Sequence, residues 1–436
     1  MVVGDRLKLQ LFHIRFLNML RKTLIYNNIL NKIFQVPDKI VFRWGILFPV
    51  LILMCISLIT LKYTSINSSF FSSTFTKQII WFGLGSFVFI LAQWIRIQYF
   101  QEYAFHFYGI LIIFIAITYI MPVIGGSQRW VIVGPFSFQP SEVGKLLLVF
   151  VIARVLADQK GNMNEIKLLL MILFMALVPA LMVFKQPDFG TAIVYGFIAL
   201  PMLYWSGIRS YYLFSVIAPI ISIISAFNIY IFSIWMGVLV MVIYFNQPRM
   251  TMGVPQFITN IGCGILSPFI WNNFLYSHQK ERILTLLNPM RDPHGTGYQV
   301  IQSIIAIGSG GIWGKGIGKG TQTQLRYLPV RDTDFIVSVI GEEMGLLGIA
   351  TVLVVFFTML YWMIVYAGII SNKFSSLTLI GFSSILFIHL IVNMGMTVGL
   401  LPVTGLPAPF LSYGGSFLLS CLLILALSTN IVNHHI

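Results

Sequence analysis

Long apolar runs, each near the length that crosses a lipid bilayer, alternate along this chain with short polar breaks. A helix needs roughly 20 apolar residues to span a hydrocarbon core about 30 Å thick. Runs of that kind begin near Trp44 and predict spans at 44–62, 79–97, 103–121, 143–157, 167–184, 189–206, 211–227, 229–246, 255–274, 345–369, 376–400 and 415–433. The fourth is short, and 211–274 has room for a re-entrant segment in place of three full spans, so the expectation is roughly 10–12 transmembrane helices. The fold class is an all-α polytopic membrane protein with a large extracytoplasmic loop, 275–333, before the Asp334 helix. One stretch breaks the pattern: Gly297 to Gly345 is polar and glycine-rich, and it carries Asp334 where the polar run turns back into an apolar helix.

Composition agrees with the pattern. Of 436 residues, 58% are hydrophobic and 9% charged, against about 25% charged in soluble domains. The net charge of +14 fits Lys and Arg gathered in inner loops and near anionic headgroups, and no basic soluble module points to nucleic acid. Cys55, Cys263 and Cys421 fall inside apolar runs with neither metal spacing nor a disulfide framework. Residues 1–43 hold eight Lys/Arg against two Asp, with Leu, Ile and Phe interleaved. They read as a basic amphipathic segment on the inner leaflet and not as a signal peptide; a start codon assigned too early would give the same residues. The remainder, 44–436, reads as one transmembrane domain, with 211–274 a candidate structural insertion.

Basic residues set the orientation. With the N-terminal segment inside, the inner loops hold Arg96, Arg154, Lys160, Arg209, Arg249 and Lys373, and the tail ends inside. The outer side then collects the unusual polar segments: GGSQRW at 125–130, QPSEVGK at 139–145, QPDFG at 186–190, the long loop, and PVTGLPAPFLSYGG at 402–415. Chemistry or binding is expected at that outer boundary.

Several side chains could carry it. Asp334 reads either as a carboxylate stabilised by a helix N-terminus, with Thr333 or Asp332 as cap, or as a general base. Glu342 and Glu343, about two turns on, must face protein or a wet cavity, because acidic groups at membrane depth are costly. Glu142 and Lys145 share one helix face, as an internal ion pair or as a pair lining a polar cavity. Arg129 and Trp130 offer a cation and an interfacial ring. Asp188, between Pro187 and Gly190, reads as a turn cap. The glycines from Gly308 to Gly320 fit no Walker loop in either frame, although their amides with Lys315 and Lys319 could cradle a pyrophosphate. His13, His106, His278, His294 and His389 show no metal-ligand spacing.

GGSQRW…QPSEVGK, QPDFGT, GYQVIQS, GSGG-x-x-GKG, LPVRDTDF-x-x-x-x-GEE-x-G and PVTGLPAPFLSYGG, in that order, resemble the shape, elongation, division and sporulation family of RodA/FtsW polymerases. The likeness runs from about Trp44 to the C-terminus, and GTQTQ and PVTGLP are nearer its RodA-like members. Val330 and Asp332 depart from a family motif that usually places Glu and His there, Ala408 stands where Leu is common, and 211–274 is longer than usual.

The resemblance implies a peptidoglycan glycosyltransferase that joins lipid II on the outer face of the bacterial inner (cytoplasmic) membrane and releases polyprenyl pyrophosphate. It implies a class B penicillin-binding protein as partner, other elongation-complex proteins beside it, and a divalent cation, Mg2+ or Mn2+, for which this sequence shows no ligand cluster. Asp334 is then the expected base. Arg129, Trp130, Glu142, Lys145, Lys315, Lys319, Arg326 and Arg331 are the expected substrate contacts. A lipid II flippase, or a scaffold for the crosslinking enzyme, are the competing readings of the same residues.

Overall fold

The structure is a computed structural model that describes residues 41–64, 73–123, 127–133, 136–159, 164–248, 250–273, 280–281, 284–286, 290, 296–325 and 327–435. Residues 1–40 of the basic segment, and Arg326, lie outside these. Helices dominate: α1 (Trp44–Thr64), α2 (Thr74–Ala92), α3 (Ile97–Glu102) and α4 (Ala104–Thr118), then α5 (Pro140–Ala157), α6 (Glu165–Lys185) and α7 (Phe189–Trp205). There follow α8 (Ser210–Ser225), α9 (Ile229–Asn246), α10 (Met250–Asn273), α11 (Thr296–Gly310), α12 (Thr321–Gln324), α13 (Ile336–Ile369), α14 (Lys373–Thr397) and α15 (Gly415–His435). Among the described residues one antiparallel ribbon joins them, β1 (Val131–Val133) with β2 (Phe136–Phe138), in the register Val131↔Phe138.

Every apolar run read from the sequence overlaps a helix. In a bilayer the helix satisfies all backbone polar groups within its own segment, so apolar runs have little alternative. Among the described residues, seven helices are long and apolar enough to cross a membrane: α1, α2, α6, α9, α13, α14 and α15. The rest are shorter, as α4, α7 and α8 are, or more polar, as α5 is with Glu142, Lys145 and Arg154. Ends follow local chemistry. Ser73, Asn164, Asp188, Asn228 and Asn372 each cap a helix by accepting from a backbone N–H of its first turn.

Helix α14 is the axis of the bundle. It packs against α5, α7 and α13, and nearly all of its residues are buried. α15 lies along α2 and is buried almost as fully. At the other extreme α9 is only 6% buried. It packs on α8 and, with α10, forms a group tied to the bundle mainly through α8 and α7.

Two features differ from the sequence reading. The loop 275–333 contains helix α11, which packs on α13 and α14. And α13 runs on for 34 residues but breaks at Gly345, where φ is 67° and ψ −163°. An unbroken helix of that length would measure about 51 Å, well beyond a hydrocarbon core of about 30 Å. The stretch after the break matches the predicted span 345–369. The stretch before it carries Glu342 and Glu343.

Candidate active site

Helix N-termini converge at one end of the bundle. The starts of α5, α7 and α15, and the segment leading into α13, all border one cavity of about 430 Å³. Each N-terminus brings a partial positive charge, to which Arg129 adds, while Glu142, Asp188 and Asp334 stand as carboxylates on the wall of the same cavity.

Asp334 lies on its wall. It precedes α13, whose N-cap is Phe335, so it is not part of the helix's first turn. The turn that presents it winds around Val330, whose φ is 54°, a conformation that β-branched residues rarely adopt. The Val330 carbonyl accepts from the N–H groups of Thr333 at 3.2 Å and Asp334 at 3.1 Å. Neither expected cap serves α13. Asp332 instead accepts from the Thr74 hydroxyl at 2.9 Å, and the Thr333 hydroxyl donates back to Val330.

The loop 402–414 fixes this turn from the other side. Asn393, fully buried on α14, donates to the carbonyls of Asp334 at 2.9 Å and Leu406 at 2.7 Å. Ser412 donates to the Thr333 carbonyl at 2.5 Å and accepts from Ala408 N–H at 2.8 Å, and Tyr413 N–H donates to the Asp332 carbonyl at 2.9 Å. Gly190 lets α7 reach the same loop: a Cβ there would lie 2.9 Å from the Thr404 carbonyl oxygen. Burial pushes the Tyr413 hydroxyl above its usual pKa, against a hydrogen bond with Trp81, which keeps the phenol neutral at the cavity edge.

Arg129, Trp130 and Glu142 also line the cavity. Asp188 and Gln139 join them, and the sequence reading had not counted either as a site residue. Asp188 is the expected cap of α7, accepting from Thr191 N–H at 3.2 Å. Its other oxygen accepts from Gln139 Nε2 at 2.9 Å and lies 3.7 Å from Arg129. The clue lay in the polar motifs holding Gln139 and Asp188, which the spans place at the same end. Lys145 is buried behind the wall, at 1% exposure, and donates to Glu142 Oε2 at 2.7 Å.

The other basic candidates stand elsewhere. Arg331 lines a neighbouring cavity of about 480 Å³ with Thr74 and Asp332. Its guanidinium donates to the carbonyls of Thr323 and Thr64. Lys319 is exposed and Lys315 half-buried, and neither borders the cavity that holds Asp334. Lys315 pairs with Glu342 at 2.9 Å. That carboxylate, wholly buried, also accepts from the N–H groups of Gln322 and Thr323 and from both threonine hydroxyls at 321 and 323. The amides expected to cradle a phosphate are engaged too. Lys315 N–H and Gly316 N–H donate to the carbonyls of Glu342 and Glu343, each at 3.0 Å. Those carbonyls are released from the helix ladder by the break at Gly345.

No group of three His, Cys, Asp or Glu among the described residues is placed to hold a metal ion. Both oxygens of Asp188 and Oε2 of Glu142 are already turned to protein donors, so these two carboxylates do not form a preformed cation cage.

Against known proteins, the family described as Cell cycle protein, FTSW_RODA_SPOVE, matches residues 38–236 and 231–435. The chain is 31% identical over 346 residues to the peptidoglycan glycosyltransferase MrdB of Escherichia coli, covering 79% of this chain and 81% of that one. It is 32% identical over 364 residues to a probable peptidoglycan glycosyltransferase FtsW of Geobacter sulfurreducens, covering 81% and 84%. A chain of a solved peptidoglycan synthase complex, described as coordinating polymerization and crosslinking, superposes with a TM-score of 0.67 at 26% identity, over 91% of this chain and 99% of that one. The crystal structure of the rod shape determining protein RodA of Thermus thermophilus shares the fold, with a TM-score of 0.61 at 22% identity over 92% of this chain and 99% of that one.

Proposed function

The chain belongs to the FtsW, RodA and SpoVE family, and from that premise we infer that it is a RodA-like peptidoglycan glycosyltransferase of the bacterial inner membrane, polymerising lipid II into glycan strands. A penicillin-binding protein that crosslinks those strands is its partner. We place its work in cell-wall elongation, with other elongation-complex proteins nearby.

In this reading Asp334 is the general base. The single observation that carries it is the placement of this carboxylate: on the wall of a cavity that also holds Arg129, at the meeting point of several helix N-termini. A sugar hydroxyl is a poor nucleophile until its proton leaves. Asp334 takes the proton from the 4-hydroxyl of the acceptor N-acetylglucosamine as that oxygen bonds to the donor sugar, a step to which a positioned base contributes about 10²–10⁴-fold. The donor's bond to pyrophosphate breaks, and the pyrophosphate leaves on its polyprenyl tail with the electron pair. Arg129 and the helix N-termini stabilise the developing charge, because fixed dipoles need no reorganisation at the moment of reaction. Trp130 supplies an amphipathic ring at the cavity edge.

The divalent cation belongs, in this account, with the pyrophosphate, as hard cations do when one or two carboxylates and substrate phosphates hold them. No step is routed through it, and polymerisation undiminished by a chelator would remove it. The shorter or more polar helices α4, α5, α7, α8 and α10 complete twelve spans. The cavity then faces the outer side, because the basic first segment stays inside. The purified chain with its penicillin-binding partner, given lipid II, should yield glycan polymer and release one polyprenyl pyrophosphate per bond. Lipid II carried across vesicles without polymer would overturn the assignment.

A further inference from the structure

A buried polar chain leads away from the cavity wall. Glu142 Oε2 accepts from Lys145 Nζ at 2.7 Å, and the same Nζ lies 2.8 Å from His389 Nε2 on α14. Lys145 is 1% exposed and His389 not at all. The charged centre also sits 5.7 Å from the Phe417 ring, and the imidazole packs on that ring with centroids 4.7 Å apart.

Elementary valence fixes the direction of the second bond. An ammonium has three donors and no acceptor, so His389 Nε2 must accept. The imidazole is then neutral, with its proton on Nδ1. That atom has no partner in bonding geometry. His389 and Asn393 stand one turn apart on α14, so the helix that carries the imidazole beside the Glu142–Lys145 pair also carries the amide that fixes the Asp334 turn. A histidine serving only to fill volume would not need its one acceptor atom aimed at a buried ammonium.

We propose that His389 is a positioning residue: by accepting from Lys145 it holds the ammonium where Glu142 stays an oriented anion on the cavity wall, ready to accept from a sugar hydroxyl of the substrate. The proposal rests on the polymerase reading for its activity test, and on geometry alone for the hydrogen bond. Removing the acceptor leaves a buried charge short of a partner, which favours any rearrangement that satisfies it. Lys145 then swings, and Glu142 follows.

The test uses the full chain in complex with its penicillin-binding partner. His389→Leu fills the space without an acceptor, whereas His389→Gln keeps one. His389→Leu should lose about tenfold or more in kcat with KM for lipid II within about twofold, and His389→Gln should recover most of the loss. Wild-type turnover in the leucine variant, or a folded glutamine variant as poor as the leucine one, would overturn the proposal.

A second measurement does not depend on activity. With 15N-labelled histidine, the His389 resonances at neutral pH should report a neutral ring protonated on Nδ1, with Nε2 perturbed by Lys145→Met. An imidazolium, or a ring protonated on Nε2, would contradict the assignment. If the wild type made no polymer, the polymerase reading would fall and the nitrogen spectrum alone would decide the hydrogen bond.

Discussion

Arg129 and Asn393 are expected to do different kinds of work: one borders the cavity that holds Asp334, the other donates to the Asp334 carbonyl. Arg129 borders the cavity and answers Asp188 at 3.7 Å. Arg129→Ala should lower kcat/KM for lipid II by about 10²–10³-fold, as loss of a charge-stabilising donor does, with the melting temperature little changed. Asn393 is not among the residues that line the cavity, and its amide donates to the carbonyls of Asp334 and Leu406. Asn393→Leu keeps the volume and leaves both acceptors buried, so it should destabilise the protein by about 1–3 kcal/mol, read as a fall in the thermal midpoint in detergent. That Arg129 and Asp334 share one cavity was legible in the sequence, because both belong to polar motifs at one end of the spans. What Lys145, Lys315 and Arg331 do was not. Each basic residue looked equally able to meet a pyrophosphate. Their partners lie up to hundreds of positions away, as His389 does from Lys145 and Thr64 from Arg331, and spacing along one chain carries no trace of such pairings.

At the scale of elements, the apolar runs gave the helices because a membrane leaves the backbone few alternatives. The boundaries were less visible. The second span, expected at 79–97, lies at 74–92, where Ser73 caps it. The fourth begins at Pro140, which puts Glu142 inside its first turn. Helix α11 was read as loop because its glycines and polar residues mask an amphipathic face that packs on α13. The glycine-rich stretch after it also had a different use. It replaces the hydrogen bonds that α13 loses at Gly345: Gly311 and Ile312 accept from Leu346 and Leu347, while Lys315 and Gly316 donate to Glu342 and Glu343. Two left-handed glycines make this exchange possible. A Cβ on Gly314 would lie 2.2 Å from the Glu343 carbonyl oxygen, and one on Gly345 would lie 2.3 Å from Gly314 N. Gly314→Ala and Gly345→Ala should each cost at least about 1–3 kcal/mol, measured as a drop in thermal midpoint. Substitution of Gly308, whose Cβ would meet open space, should cost far less.

For the whole molecule, the division between a tight bundle and a loosely attached group is the main architectural fact. α14 and α15 are buried nearly all round, whereas α9 faces outward on almost every side. The sequence marked 211–274 as a stretch without chemistry, and in the structure none of its described residues borders the cavity that holds Asp334. The orientation assigned under the proposed function makes a prediction at this scale. In a cysteine-free background, a cysteine replacing the exposed Lys319 should react with a membrane-impermeant maleimide added to intact cells. One replacing Lys373, at the start of α14, should react only after the membrane is opened. The opposite pattern would turn the cavity to the inside and separate it from the growing wall.

Whether Asp334 removes the acceptor's proton is decided by polymerisation with Asp334→Asn. Wild type and variant, each purified with the penicillin-binding partner and matched in thermal midpoint, would be given the same lipid II, and glycan length and rate compared. The account predicts long strands from the wild type and a rate at least about 100-fold lower from the variant. Equal polymer from both, with both folded, would contradict it and move the base to another carboxylate of the same cavity, with Glu142 first.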